Sequence, residues 1–342
     1  MSGPDLNNAQ LIDAHMEYIG VARGRSARTQ EAYRLALERL AQFLDGGHLL
    51  AAGPDELEMF CGLWLQKKGI VAQSRKPYIS AVKGFYRWAR ARGFVEVSAA
   101  QDVSHPQMTY QLPDTISLAN AERLLCAPDL GTFKGIRDSA MLHVLMGCGL
   151  RVTGLCQLNE GDLQHDVIDG QVRMALLVTE KGKRDRLVPV PKETAMLLQV
   201  YLGHEDLGRI DRNVKGRGGR PDRVLFVSVR NATVAAHQYR GENRRIGRQS
   251  VHDMMQRYGK AVGIPAQQLH PHALRHLFGT ELVEDDVPTV SVQKLMGHLS
   301  EKSTSLYVML SKRKTTRLVD QHGPIAKVRT PVSDLLKRLP GR

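Results

Sequence analysis

Two histidines, an arginine and a tyrosine cluster between Leu269 and Tyr307, in LHPHALRH, KLMGHLS and STSLY. His272 and Arg275 stand three residues apart behind Pro271, a residue suited to the first position of a helix, so both side chains should leave one helical face. Val287–Met296 reads as a second helix that stops at Gly297 and leaves His298 just beyond it, with Tyr307 on a third short segment. Imidazoles and a guanidinium make an anion pocket, and a phenol at its edge is a nucleophile. A phosphate needs more positive charge than one arginine supplies. Arg151 offers it upstream in GCGLRVTGLCQL, where the apolar run Ala140–Met146 leads through Gly147 and Gly149 to a turn and a helix start with free backbone N–H donors. A further cation comes from VTEKGKRDRLVPV, which reads as a β-hairpin with Lys181 at its tip.

Taken singly, each feature has a plain structural explanation: a surface helix pair, a charged turn, a helix C-cap, a half-buried tyrosine. Their order is more specific: an arginine in GLR, a hairpin lysine, H-x-x-R, a histidine after glycine, and a tyrosine nine residues later. In this order, from LPDTISLANAERLL to about Ser311, the chain resembles the catalytic domain of the tyrosine recombinase (phage integrase) family. The resemblance implies that Tyr307 attacks a DNA phosphodiester to form a 3′-phosphotyrosyl link, which conserves the bond energy without ATP. It places Arg151 and Arg275 on the non-bridging oxygens, where planar, permanently charged forks suit the growing negative charge. Lys181 would protonate the leaving 5′-oxygen, His272 would accept or hold the tyrosine proton, and His298 would hydrogen-bond the phosphate. Two guanidiniums make a divalent metal unnecessary, so no cofactor is expected. His270, His272 and His276 lack a Cys or carboxylate at ligand spacing, and no metal site is expected there. The partners implied are double-stranded DNA carrying an inverted-repeat core site and further copies of the chain, as a homo-tetramer on DNA. One position departs from the family: Gly154 stands where an Asp or Glu commonly supports the pocket. A binding protein with weakened catalysis and a tyrosine-type topoisomerase are the other readings.

The composition suits a polyanionic partner. Lys and Arg number 48 against 35 Asp and Glu, a net charge of +13, and the pI is near 9.7. Between Lys67 and Arg92 every charged residue is basic, and Arg75, Lys76, Lys83 and Arg87 are the expected DNA contacts. Tyr78, Phe85, Tyr86 and Trp88 interleave with them at helical spacing and are expected to be core rather than base-stacking platforms.

The resemblance implies a mainly α fold with a small β-sheet: a helical core-site-binding domain, then a mixed α/β catalytic domain. The expected division is 1–106 for the first, 107–116 for a linker and 117–329 for the second, with 330–342 as a C-terminal helix that packs on its own catalytic domain or, as the resemblance implies, docks on a neighbouring protomer. LIDAHMEYIG, TQEAYRLALERLAQFL, PDELEMFCGLWLQKKG and SRKPYISAVKGFYRWARARG carry the apolar periodicity of helices, with Thr29, Ser74 and, further on, Ser117 as helix starts. The first helix follows the amino terminus closely, which points to a two-domain, Xer-like member without an arm-binding domain. Residues 203–223, rich in Gly and Arg, read as an insertion too polar to pack, either a disordered loop or an extra phosphate contact. Four scattered cysteines, no signal-peptide pattern and no long apolar run suggest a reduced, cytoplasmic protein.

Overall fold

The computed structural model describes residues 6–106, 114–180, 184–231 and 233–297. Lys181, His298, Tyr307, most of the linker and the C-terminal tail lie outside the described residues. The chain divides into two compact units, Met1–Gln111 and Leu112–Arg342.

The first unit is helical. Helix α1 (Asn8–Val21) opens with a capping box, in which the Asn7 side chain accepts from Gln10 N while the Asn7 N–H donates to Gln10 Oε1. Helix α2 (Ala27–Phe43) is capped by Ser26 and not by Thr29, because only Ser26 has the extended backbone that turns its hydroxyl onto the N3 amide. Next come α3 (Pro54–Met59), a π-turn over Phe60–Trp64 and α4 (Leu65–Lys67). Helix α5 (Ala72–Ala91) begins two residues before Ser74, without a side-chain cap. Its apolar face buries Ile79, Val82, Phe85, Tyr86, Trp88 and Ala89 against Leu11, Met16, Leu37 and Phe60, so those aromatics are core as expected. Tyr86 donates its hydroxyl to Leu49 O.

One buried group in this core is titratable. His15 is 1% exposed, sits 5.6 Å from the Phe85 ring and 5.1 Å from Trp88, and burial pushes its pKa down to about 4. Above about pH 6.5 folded and unfolded chains both hold it neutral. As pH falls from there towards 4, the unfolded chain takes a proton that the folded core refuses, so stability is lost, on the order of 3 kcal/mol in all. Both tryptophans, Trp64 and Trp88, lie in this unit. Tryptophan-detected melting of the full chain is therefore expected to drop between pH 6.5 and 4, and His15→Leu should flatten the drop. An identical pH dependence in the variant would remove His15 from that role.

The second unit is built on α7 (Phe133–Gly147), capped by Thr132 and buried over Gly135–Leu142, Val144 and Leu145. Around it lie α6 (Leu118–Leu125), where Ser117 caps as expected, α8 (Val152–Gln157) and α9 (Lys192–Leu202). Strands β1 (Leu163–Ile168), β2 (Gln171–Glu180) and β3 (Arg184–Pro189) form an antiparallel meander. In β2, Met174, Leu176 and Val178 alternate inward. The expected hairpin is therefore β2–β3, whose last described pair is Glu180 with Arg184. Strand β1 was not anticipated: its residues are mostly exposed and carry no alternation to mark it. After α9 come α10 (Glu205–Gly208), β4 (Asn213–Lys215) and β5 (Pro221–Arg223), then α11 (Arg248–Ala261), α12 (Pro271–Glu284) and α13 (Thr289–Met296).

The stretch 203–223 corrects the sequence reading. It folds as α10 and a β4–β5 ribbon turning through Gly218 and Gly219 at φ 64° and 76°, a conformation glycine adopts without strain. Arginines of this stretch meet acids: buried Arg212 and exposed Arg223 share Glu160, and Arg217 pairs with Asp162 and Asp185 at 2.7 Å each. Polar residues pack here because opposite charges meet them. The mainly α architecture with one small meander matches expectation. Among the described residues no helix is long and apolar enough to cross a membrane.

Candidate active site

Pro271 occupies the first turn of α12 and His270 caps it, accepting from Ala273 N at 3.1 Å. Arg275, one turn on, is 3% exposed. Its two terminal nitrogens donate to Gly149 O and Met296 O. A single guanidinium thereby ties the turn before α8 to the end of α13. Gly149 is needed at that turn on two grounds: its φ is +59°, and a Cβ would overlap the Phe278 ring of α12. Two residues later Arg151 stands at the N-cap of α8 with extended backbone, at the helix start expected for it.

His272, on the first turn of α12, has one side open to solvent and the other packed against the helix's neighbours. Its pKa is lowered by burial first, then by the positive charge of Arg275, by His270 and by Arg151. Both guanidiniums thus lie near enough to act on one imidazole, and the bond from Arg275 to Gly149 O, two residues before Arg151, brings the start of α8 up to α12. His276, with its ring 6.3 Å from that of His272, is pushed down to about 4, again chiefly by burial. Neutral histidine is therefore the form held at neutral pH, and a neutral imidazole has a lone pair with which to accept a phenolic proton.

Helix α13 ends at Gly297 in the left-handed conformation, φ 63° and ψ 44°, where the sequence placed its stop. The carbonyls at a helix end need donors from outside the helix, and here Leu295 O accepts from Arg186 of β3 as Met296 O accepts from Arg275. The hairpin and α12 thus converge on the chain that leads to His298. Sequence reasoning missed Arg186, which looked like one more cation in KGKRDR. The positions of Lys181, His298 and Tyr307 themselves lie outside the described residues. Gly154 is on α8; a Cβ there would meet only Val178 Cγ1 at 3.4 Å, so crowding does not demand glycine. Among the described residues no group of three His, Cys, Asp or Glu is placed to hold a metal ion.

In the first unit the four expected DNA-contacting cations divide. Lys83 donates to Gln101 O at 3.0 Å and Val103 O at 2.8 Å, and Arg75 to Gly62 O at 3.1 Å, so both are engaged by backbone carbonyls. Lys76 and Arg87 are the exposed pair.

A helical unit followed by a mixed α/β unit carrying these motifs in this order defines the tyrosine recombinase class. Residues 115–314 match the phage integrase family and residues 12–93 its N-terminal SAM-like domain, and the chain belongs to the phage integrase family. The tyrosine recombinase XerD of Pseudomonas putida is 33% identical over 316 residues, 92% of this chain and 97% of that one. XerD of Pseudomonas aeruginosa is 31% identical over 319 residues, again 92% and 97%. Among solved structures, the XerH site-specific recombinase bound to its palindromic difH substrate, in a post-cleavage complex, shares the fold. Its TM-score is 0.68 at 17% identity, over 92% of this chain and 84% of that one. A lambda integrase dimer bound to a COC′ core site gives 0.63 at 16% identity, over 90% and 78%.

Proposed function

We propose that the chain is a site-specific DNA recombinase, cutting and rejoining strands through a 3′-phosphotyrosyl intermediate. The observation that carries this reading is the bond by which Arg275, one turn beyond His272 on α12, holds the turn that leads to Arg151, in a chain of this family. Arg151 and Arg275 bind the non-bridging oxygens and stabilise the pentavalent transition state. Tyr307 attacks the phosphorus as its proton passes to neutral His272, the bond to the 5′-oxygen breaks, and Lys181 protonates that oxygen so that it leaves as a hydroxyl. His298 donates a hydrogen bond to the phosphate. Attack by a partner strand's 5′-hydroxyl reverses the sequence and reseals the DNA.

The partner is double-stranded DNA with an inverted-repeat core site; the net charge of +13 and the exposed Lys76 and Arg87 support it. Residues 1–106 bind the core site, 107–116 link, 117–329 carry the chemistry and 330–342 dock on a neighbouring copy. Four copies act together on two sites in the cytoplasm. The test is a supercoiled plasmid carrying two copies of a candidate site drawn from the DNA beside the gene. Recombination that requires both copies is the expected result. Relaxation of a plasmid with no site would instead make the chain a topoisomerase, and binding with neither reaction would leave it a binding protein.

A further inference from the structure

Arg217 has no assigned part in the chemistry, yet it holds the hairpin that carries Lys181. It stands in the turn between β4 and β5, whose last pair is Lys215 with Pro221. Its guanidinium donates through Nη1 to Asp185 Oδ2 at 2.7 Å and through Nη2 to Thr179 Oγ1 at 2.9 Å and Leu177 O at 3.1 Å. Through Nε it donates to Asp162 Oδ1 at 2.7 Å, just before β1. Thr179 and Asp185 are register partners on β2 and β3, and Thr179 Oγ1 donates to Asp185 Oδ1 at 2.8 Å. One planar fork therefore grips both strands of the hairpin, two residues short of Lys181, and anchors them to the body of the unit. The cleft beside it, about 420 Å³, is lined by Gly154, Asp162, Leu177, Thr179 and Arg217. Gly154 contributes no side chain to that cleft, and the family commonly has a carboxylate there.

We propose that Arg217 is a positioning residue. It fixes the register and splay of β2–β3 and so the placement of Lys181, supplying from the 203–223 segment the support that residue 154 does not give. The proposal rests on the reading of Lys181 as the proton donor.

Single-turnover cleavage of a nicked site separates the two ideas. It is measured on an ordinary phosphodiester and on one whose 5′-bridging oxygen is sulfur, since a thiolate leaves without a proton. Arg217→Ala is expected to slow the oxygen substrate on the order of 10-fold, a fraction of what a placed general acid contributes, and the sulfur substrate less than about twofold. Asp185→Asn, which loosens only the hairpin end of the clamp, should show the same pattern more weakly, and it carries the test if Arg217→Ala does not fold. The double variant Arg217→Ala/Lys181→Ala should be no slower than Lys181→Ala. Equal losses on both substrates for Arg217→Ala and Asp185→Asn, with Lys181→Ala rescued by sulfur, would overturn the positioning role alone. A Lys181→Ala that sulfur does not rescue would overturn the proton-donor reading, and the proposal with it.

Discussion

Replacing Tyr307 with phenylalanine is expected to abolish covalent capture of a nicked DNA site while leaving binding of that site unchanged. Only the nucleophilic oxygen is removed, and no adduct can form without it. The competing phenols are engaged elsewhere. Tyr201 is fully buried, donates to Leu225 O at 2.9 Å, and has its pKa raised by burial. Tyr239 donates to Ser228 O at 2.6 Å, and Tyr258 to Asp138 Oδ2 at 3.0 Å with burial, and then that carboxylate, raising its pKa. A phenol already donating its proton to a fixed acceptor is a poor nucleophile, and for Tyr201 and Tyr258 the raised pKa adds to this. The measurement is a denaturing gel of protein mixed with a nicked site: an adduct persisting in Tyr307→Phe would place the nucleophile elsewhere.

Arg275→Ala is expected to lower the cleavage rate by about 10²- to 10³-fold, the range for losing one preorganised donor to transition-state charge. Two effects combine in that loss. The phosphate loses a positive charge, and Gly149 O and Met296 O lose their shared donor, which loosens the turn before Arg151 and the end of α13. Lysine should not restore the rate, because one compact ammonium cannot reproduce a fork spanning two carbonyls. A scissile methylphosphonate, neutral where the phosphate is charged, tells the effects apart. Loss from unbalanced charge shrinks on it, and loss from a displaced turn persists. A variant that cleaves both substrates at the parent rate would remove Arg275 from the site.

What could be read from the sequence was what short-range chemistry marks. Pro271 starts α12, Gly297 stops α13, Ser117 caps α6, and the aromatic face of α5 goes inward, each decided by residues within a turn or two. The family's motif order then named residues that the folded chain brings together from far apart, as with Arg151 and Arg275. Pairings outside that order left no trace. Arg217 meets Asp185 and Asp162 across 32 and 55 residues, and a Gly-Arg stretch gives no hint that its charges are matched at such range. Nor does spacing show that Lys83 donates to two carbonyls, at Gln101 and Val103.

The role proposed for Arg275, added to its two carbonyl bonds, bears on how such a chain can change over generations. On the proposed roles, a lineage shedding catalysis to become a pure binder can drop the Tyr307 hydroxyl by altering one oxygen. Dropping Arg275 would sever two struts of the scaffold and so require compensating substitutions around Gly149 and Met296. Decay in descendants should therefore strike the nucleophile before the arginine. An arginine that persists is weak testimony that a relative still cuts DNA.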